Sequence, residues 1–194
     1  MEMVIKDERV DYLYKKYLGE GSQVYDYLLQ HSLKVFEKAL SIMKMNAEKS
    51  FDEEKVYLGA MLHDIGVIYV NAPDIACFGD LPYLAHGYMG RKILEDEGLH
   101  EIAPVCERHV GVGFTAAEIK LQKLPLPQRD MLPLSAEEKL ICVADKFYSK
   151  SSKYLLEEKP LHIVQRSILK HGDDKLKALN ELLMFFKLLD NPAM

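Results

Sequence analysis

Apolar residues recur along this chain at spacings of three and four, the period of a helix with one buried face. Strand-like alternation of β-branched residues is scarce, and no two-residue hairpin signal stands between alternating runs. The pattern first settles at Ser22, which opens a helix over 22–47 carrying Val24, Leu28, Val35, Ala39, Ile42 and Met43 on one side. Ser50 with Glu53 three residues later reads as a capping box for a second helix over 52–65, with Gly66 as its terminator. Residues 67–81 read as a loop. Pro82 then fits the first turn of a helix running to about 97, which Gly98 ends. A short helix over 100–110 stops at Gly111-Val112-Gly113. Thr115 and Glu118 box the start of another, reaching about 123. Pro125, Pro127 and Pro133 make 124–134 a stiff, irregular connection. Ser135 and Glu138 open the next helix, with Leu140, Ile141, Val143 and Ala144 inside it. Two last helices fall over 160–170 and 173–190, parted by Gly172 and Asp173.

The sum is an all-α chain of seven or eight helices. It is expected to form one domain over 1–194, with its chemistry in about 22–150 and its last helices, 151–194, packed on that core. The connection at 124–134 is read as internal to the domain. The last helix has a broad apolar face (Leu179, Leu182, Leu183, Phe186, Leu188, Leu189) that closes the core or meets a second subunit as a homodimer.

Composition narrows the partners. With 48% hydrophobic and 28% charged residues, the 194-residue chain has enough apolar material for a sizeable core. A net charge of −5 gives no global basic footprint, so no nucleic-acid polymer is expected as a partner. No apolar run approaches the roughly 18 residues of a transmembrane helix, and the first residues lack a signal-peptide core. A cytoplasmic protein away from membranes is expected. Cys77, Cys106 and Cys142 show no Cys-x-x-Cys spacing and suit neither a disulfide framework nor a zinc ribbon.

The candidate chemistry lies in four histidines and two aspartates. His63 and Asp64 stand side by side near a helix end, His31 and His86 fall within helices, and His109 and Asp145 lie near helix ends. Imidazole nitrogen and carboxylate oxygen together suit Fe, Mn, Zn, Co or Ni, whereas Mg and Ca favour an all-oxygen shell. His31, His63, Asp64 and Asp145 supply four ligands for one ion. His86 and His109 supply two for another, with Asp64 shared between the ions.

In their contexts these residues resemble the HD-domain metallohydrolase superfamily. The pattern is His31 in Gln-His-Ser-Leu-Lys-Val, His63-Asp64 in Leu-His-Asp-Ile-Gly and Asp145 in Val-Ala-Asp-Lys. His86 in Ala-His-Gly-Tyr-Met-Gly and His109 in Glu-Arg-His-Val-Gly resemble the extra pair of dinuclear members. The stretch Leu-Pro-Leu-Pro-Gln-Arg-Asp, with the Val-Ala-Asp-Lys that follows, is similar to a branch of small bacterial and archaeal HD proteins. The chain departs from several dinuclear members at Val67, where they carry Lys or Arg. It also lacks the Gly-Tyr-Pro of the cyclic-dinucleotide branch, since Gly87-Tyr88 is followed by Met89.

The resemblance implies an all-α fold and one or two divalent transition-metal ions (Fe, Mn, Zn, Ni or Co, with Fe favoured for a dinuclear centre). It implies a metal-dependent phosphohydrolase, a phosphomonoesterase or phosphodiesterase acting on a nucleotide or other small phosphorylated substrate. Two ions about 3.5–4 Å apart would activate a bridging water to hydroxide for attack on phosphorus. Asp64 is the catalytic candidate, holding the ions and orienting that hydroxide. Arg108 and Lys146, beside His109 and Asp145, are the substrate-binding candidates. A di-iron oxygenase on the same ligand set is the alternative, with a non-catalytic metal-binding regulatory module as a third.

Overall fold

The computed structural model describes residues 5–149 and 154–190. Among them it has nine α-helices and a single two-stranded sheet, so the all-α expectation holds. None of these helices is long and apolar enough to cross a membrane.

The sequence pattern offers no element before Ser22, yet α1 forms over Glu8–Leu13 and continues as a π-helical turn over Tyr14–Leu18. Asp7 caps it by accepting from the Arg9 amide. Tyr14 anchors this piece: its fully buried hydroxyl donates to the Met61 carbonyl at 2.7 Å and lies 3.0 Å from Ser32 Oγ. Helix α2 spans Gln23–Met45, with Ser22 as its cap through the Tyr25 amide, and buries Leu28, Val35, Ala39 and Ile42 as expected.

Helix α3, Glu53–Leu62, departs from expectation at both ends. Its cap is Asp52, whose carboxylate accepts from the Lys55 amide at 3.1 Å, and not Ser50. Both residue types cap well, but Asp52 is the one with extended backbone immediately before the first helical turn. At the far end the helix stops at Leu62. His63 is its C-cap, and the chain tightens into a 3-10 turn over Ile65–Tyr69. Val56, Leu58, Ala60, Met61 and Leu62 are all buried, so α3 is a central rod packed on most sides.

Gly66 is not a left-handed terminator; it lacks the positive φ such a role requires. A Cβ there would meet the His86 carbonyl oxygen at 2.1 Å and the Gly90 amide nitrogen at 2.3 Å. Gly66 is a glycine because the backbone of the next helix lies against it. That helix, α4, runs His86–Asp96 after a 3-10 turn at Tyr83–Ala85. Before it, the expected loop holds a small antiparallel hairpin, β1 (Asn71–Ala72) against β2 (Cys77–Phe78). Gly87 serves close packing too: a Cβ would meet Val110 at 2.6 Å and the Cys106 carbonyl at 2.9 Å.

Helix α5 covers Ala103–Arg108, with Pro104 in its first turn. Helix α6, Ala116–Gln122, has the full capping box expected at Thr115 and Glu118. Residues 124–134 are irregular as predicted, pinned where Phe114 and Met131 exchange backbone hydrogen bonds. Helix α7, Ala136–Lys146, is capped by Ser135, but only half of the expected box forms. The Glu138 carboxylate accepts instead from the Leu134 amide at 2.6 Å and from Arg108 at 2.7 Å. Helices α8 (Leu161–Leu169) and α9 (Asp173–Phe185) follow. Leu179, Leu183 and Phe186 are buried in a core shared with α2 and α7. A second core joins α1, the start of α2, α3, α4 and α5.

Candidate metal centre

The ligand candidates arrive from five places and meet where the two cores join. His31 comes from the middle of α2, and His63 and Asp64 from the end of α3. His86 opens α4, His109 is the C-cap of α5, and Asp145 sits in the last turn of α7. All six are buried. Two groups of donor atoms form, each within 4.8 Å: His31, His63, Asp64 and Asp145, then Asp64, His86 and His109.

Asp64 belongs to both groups, and its two oxygens divide between them. Oδ2 lies 3.0 Å from His63 Nε2 and 3.4 Å from His31 Nε2. Oδ1 lies 3.3 Å from His109 Nε2 and 3.4 Å from His86 Nε2. Asp145 Oδ1 closes the first group at 3.0 Å from His31 and 3.6 Å from His63. On the other side, His86 and His109 bring their Nε2 atoms to 3.4 Å.

The ring orientations follow from backbone carbonyls, which can only accept. His63 Nδ1 faces the Ala60 carbonyl at 2.8 Å, His86 Nδ1 faces Tyr83 at 2.6 Å, and His109 Nδ1 faces Val105 at 3.2 Å. Each Nδ1 is therefore the protonated donor. In the neutral ring each Nε2 turns a lone pair into the cluster, as a metal ligand requires. His31 differs, since its buried Nδ1 has no hydrogen-bond partner among the described residues. Buried carboxylate with lone-pair imidazoles fits a divalent transition ion, because burying such charge is costly unless it is paired or ligating.

The close approach of these groups shifts their proton affinities. Burial works against a charged His63, yet the charge of Asp64 and the hydrogen bond and charge of Asp145 outweigh it, lifting His63 to about 9. His109 moves down, through burial first and the charge of His63 as well. His63 therefore holds a proton at neutral pH that a metal must displace. Metal affinity should rise with pH and level off above about 9, and near neutrality calorimetry in buffers of different ionisation enthalpy should read about one proton released. Binding without proton release would contradict this arrangement.

The family profile of the HD domain matches residues 28–150, a stretch that includes all six residues of this cluster. The chain belongs to the HD domain family. Its relatives include an uncharacterised protein of Methanocaldococcus jannaschii, 36% identical over 121 residues, covering 61% of this chain and 64% of that protein. Two others are tRNA (cytidine(56)-2'-O)-methyltransferases. That of Thermoplasma volcanium is 30% identical over 158 residues, 80% of this chain and 40% of the enzyme. That of Picrophilus torridus is 31% identical over 148 residues, 76% of this chain and 35% of the enzyme. The HD chain thus spans less than two thirds of each of these relatives. No solved structure matches it significantly.

The other candidates of this HD chain separate clearly. Lys146 lies at the cluster, its ammonium 2.5 Å from Asp145 Oδ2 and donating to the His109 carbonyl at 2.9 Å. Arg108 instead pairs with Glu138 and is absent from the wall of the cavity above the ligands. Adjacent helical residues point about 100° apart, so neighbouring His109 in sequence did not bring Arg108 to the site. Cys106 is no ligand candidate: its buried thiol faces the Leu62 carbonyl, and burial pushes its pKa well up. Val67 is fully buried in the apolar core. Among the aromatic residues, Tyr83 and Phe114 line the cavity that opens on the ligand candidates, while Tyr88 packs against the core.

Sequence reasoning missed Glu107. Its fully buried carboxylate is held by Arg91 of α4 and by Arg129 of the proline-rich connection, the latter at 2.6 Å. This pairing ties α5, and with it His109, to two neighbouring segments. The sequence carried no signal for it, since its arginine partners lie 16 and 22 residues away.

Proposed function

We propose that this chain is a metal-dependent phosphohydrolase acting on a small phosphorylated substrate. The observation that carries the reading is Asp64, which offers one oxygen to each of two ligand groups, of which His86, His109 and Asp145 line a cavity. His31, His63, Asp64 and Asp145 would hold one ion, and Asp64, His86 and His109 a second. Divalent ions in such a setting supply Lewis acidity and bring the pKa of water towards neutrality. Hydrolysis joins the oxygen of water to phosphorus and breaks the ester P–O bond, and the departing oxygen takes the proton that water gives up.

The chain's own residues then have distinct tasks. Asp64 keeps the two groups in register. Lys146, resting on Asp145, is placed to face a phosphoryl oxygen at the edge of the ligands. Tyr83 is tilted against His86, with ring centroids 4.7 Å apart, and lines the cavity beside it. Arg108 leaves this proposal because it is paired with Glu138.

The di-iron oxygenase reading gains no support from the site, since position 67 is an apolar residue inside the core. A complete ligand set also disfavours a retired regulatory module. Methyl transfer is not carried over, because the chain spans less than half of each methyltransferase relative.

Purified without chelator, the protein should carry close to two equivalents of Fe, Mn, Zn, Ni or Co per chain by elemental analysis. It should hydrolyse a generic phosphate ester, and chelation should stop the reaction. A native preparation with almost no metal, or one whose hydrolysis ignores chelator, overturns the proposal.

A further inference from the structure

A cavity of about 580 Å³ opens over His86, His109 and Asp145, within the range of pockets that hold small molecules. Its walls are formed largely by Leu84, Val110, Val112, Phe114, Leu124 and Ile168. Among the described residues two lysines reach it, and both are engaged. Lys175 is 2.6 Å from Glu118, donates to the Gly113 carbonyl at 2.8 Å, and stands 4.7 Å over the Phe114 ring. Lys146 is held by Asp145 and the His109 carbonyl. No arginine lines the cavity, and the polar side chains Gln122 and His171 are exposed at its rim.

A substrate has two ends, and these surroundings treat them differently. One phosphoryl group meets the ligand cluster. The organic part then runs along Phe114 and the aliphatic walls, where a second phosphate finds Lys175 matched by Glu118 and Lys146 already committed to Asp145 and the first phosphoryl group. A nucleobase seated along the aliphatic walls, away from Tyr83, Gln122 and His171, would bury its hydrogen-bonding edge against apolar side chains, at a cost.

We infer that the substrate is a phosphate monoester whose alcohol part is apolar and uncharged, seated in the cavity walled by Phe114, Val112 and Ile168. The inference rests on the phosphohydrolase reading and narrows it. Hydrolysis leaves the apolar alcohol in the cavity and inorganic phosphate at the cluster.

The test compares monoesters of primary alcohols, so that leaving-group reactivity is similar: naphthylethyl phosphate, methyl phosphate, and the 5'-monophosphates of adenosine and guanosine. The metal-replete protein should show kcat/KM at least about 30-fold higher for naphthylethyl phosphate than for methyl phosphate, and higher than for either nucleotide. Independently of turnover, naphthylethanol should bind the chelator-treated protein in calorimetry. Phe114→Ala should weaken that binding about 10-fold with metal content and helical circular dichroism unchanged, and Phe114→Leu should restore most of it. A preference for the nucleotides, or hydrolysis without any binding of naphthylethanol, overturns the inference and leaves the phosphohydrolase reading standing. Naphthylethanol binding by a metal-replete protein that cleaves no phosphate ester overturns the hydrolase reading and the substrate assignment, leaving only an apolar ligand cavity.

Discussion

Asp64→Ala should empty both ligand groups at once. No other residue of the cluster belongs to both, so single replacements of His31 or His86 should each leave one group complete. Metal content should fall from near two equivalents to near zero with Asp64→Ala, and to about one with His86→Ala. Loss of a residue that merely orients a ligand costs about 10–100-fold in affinity or activity. Loss of the shared carboxylate should exceed that, and hydrolysis should fall to background. Elemental analysis beside a phosphate-ester assay reads both effects, with circular dichroism to confirm that the helices persist. A variant that keeps two ions, or that keeps hydrolysing, removes Asp64 from the role given to it here.

Gly66→Ala should be among the most damaging single methyl additions in the described residues. The added carbon would stand 2.1 Å from the His86 carbonyl oxygen and 2.3 Å from the Gly90 amide nitrogen. Both are backbone atoms at the start of α4, so no side-chain rotation relieves the clash. Over-packing against yielding side chains costs about 1–3 kcal/mol, and a backbone contact this short places the change at or above roughly 3 kcal/mol. For a chain of this size that corresponds to a drop in Tm of about 6–12 °C. Because His86 itself is pushed, the variant should also lose the second ion before the first. A melt within about one degree of the parent protein, with both ions retained, would show that α4 does not need this contact.

Much of the helical framework was legible because amphipathic period and caps act locally. Ser22 and Thr115 cap the helices that their sequence contexts announce. The six ligand candidates were legible by residue type and order, and the fold brings them within reach of one another. What escaped depended on partners distant in sequence. The glycine after Ile65 reads as a terminator until α4 is seen lying on it. Glu107 looks like a surface acid until Arg91 and Arg129 close around it. α1 is short, and its holding contact is the Tyr14 hydroxyl reaching Met61, 47 residues away. Arg108 was expected at the substrate from adjacency alone, and the helical turn sends it to Glu138.

Three of the four ligand histidines take their ring orientation from a carbonyl three or four residues earlier in their own turn of chain. Each of those Nδ1 atoms faces the backbone of its own segment. The aim of each imidazole is therefore written in backbone geometry, which every amino acid shares, and the residues around it are at liberty to drift. Such a centre tolerates extensive change in its surroundings as long as the turns survive. Redesign of the cavity walls can accordingly proceed, residue by residue, without re-engineering the ring orientations of the candidate metal centre.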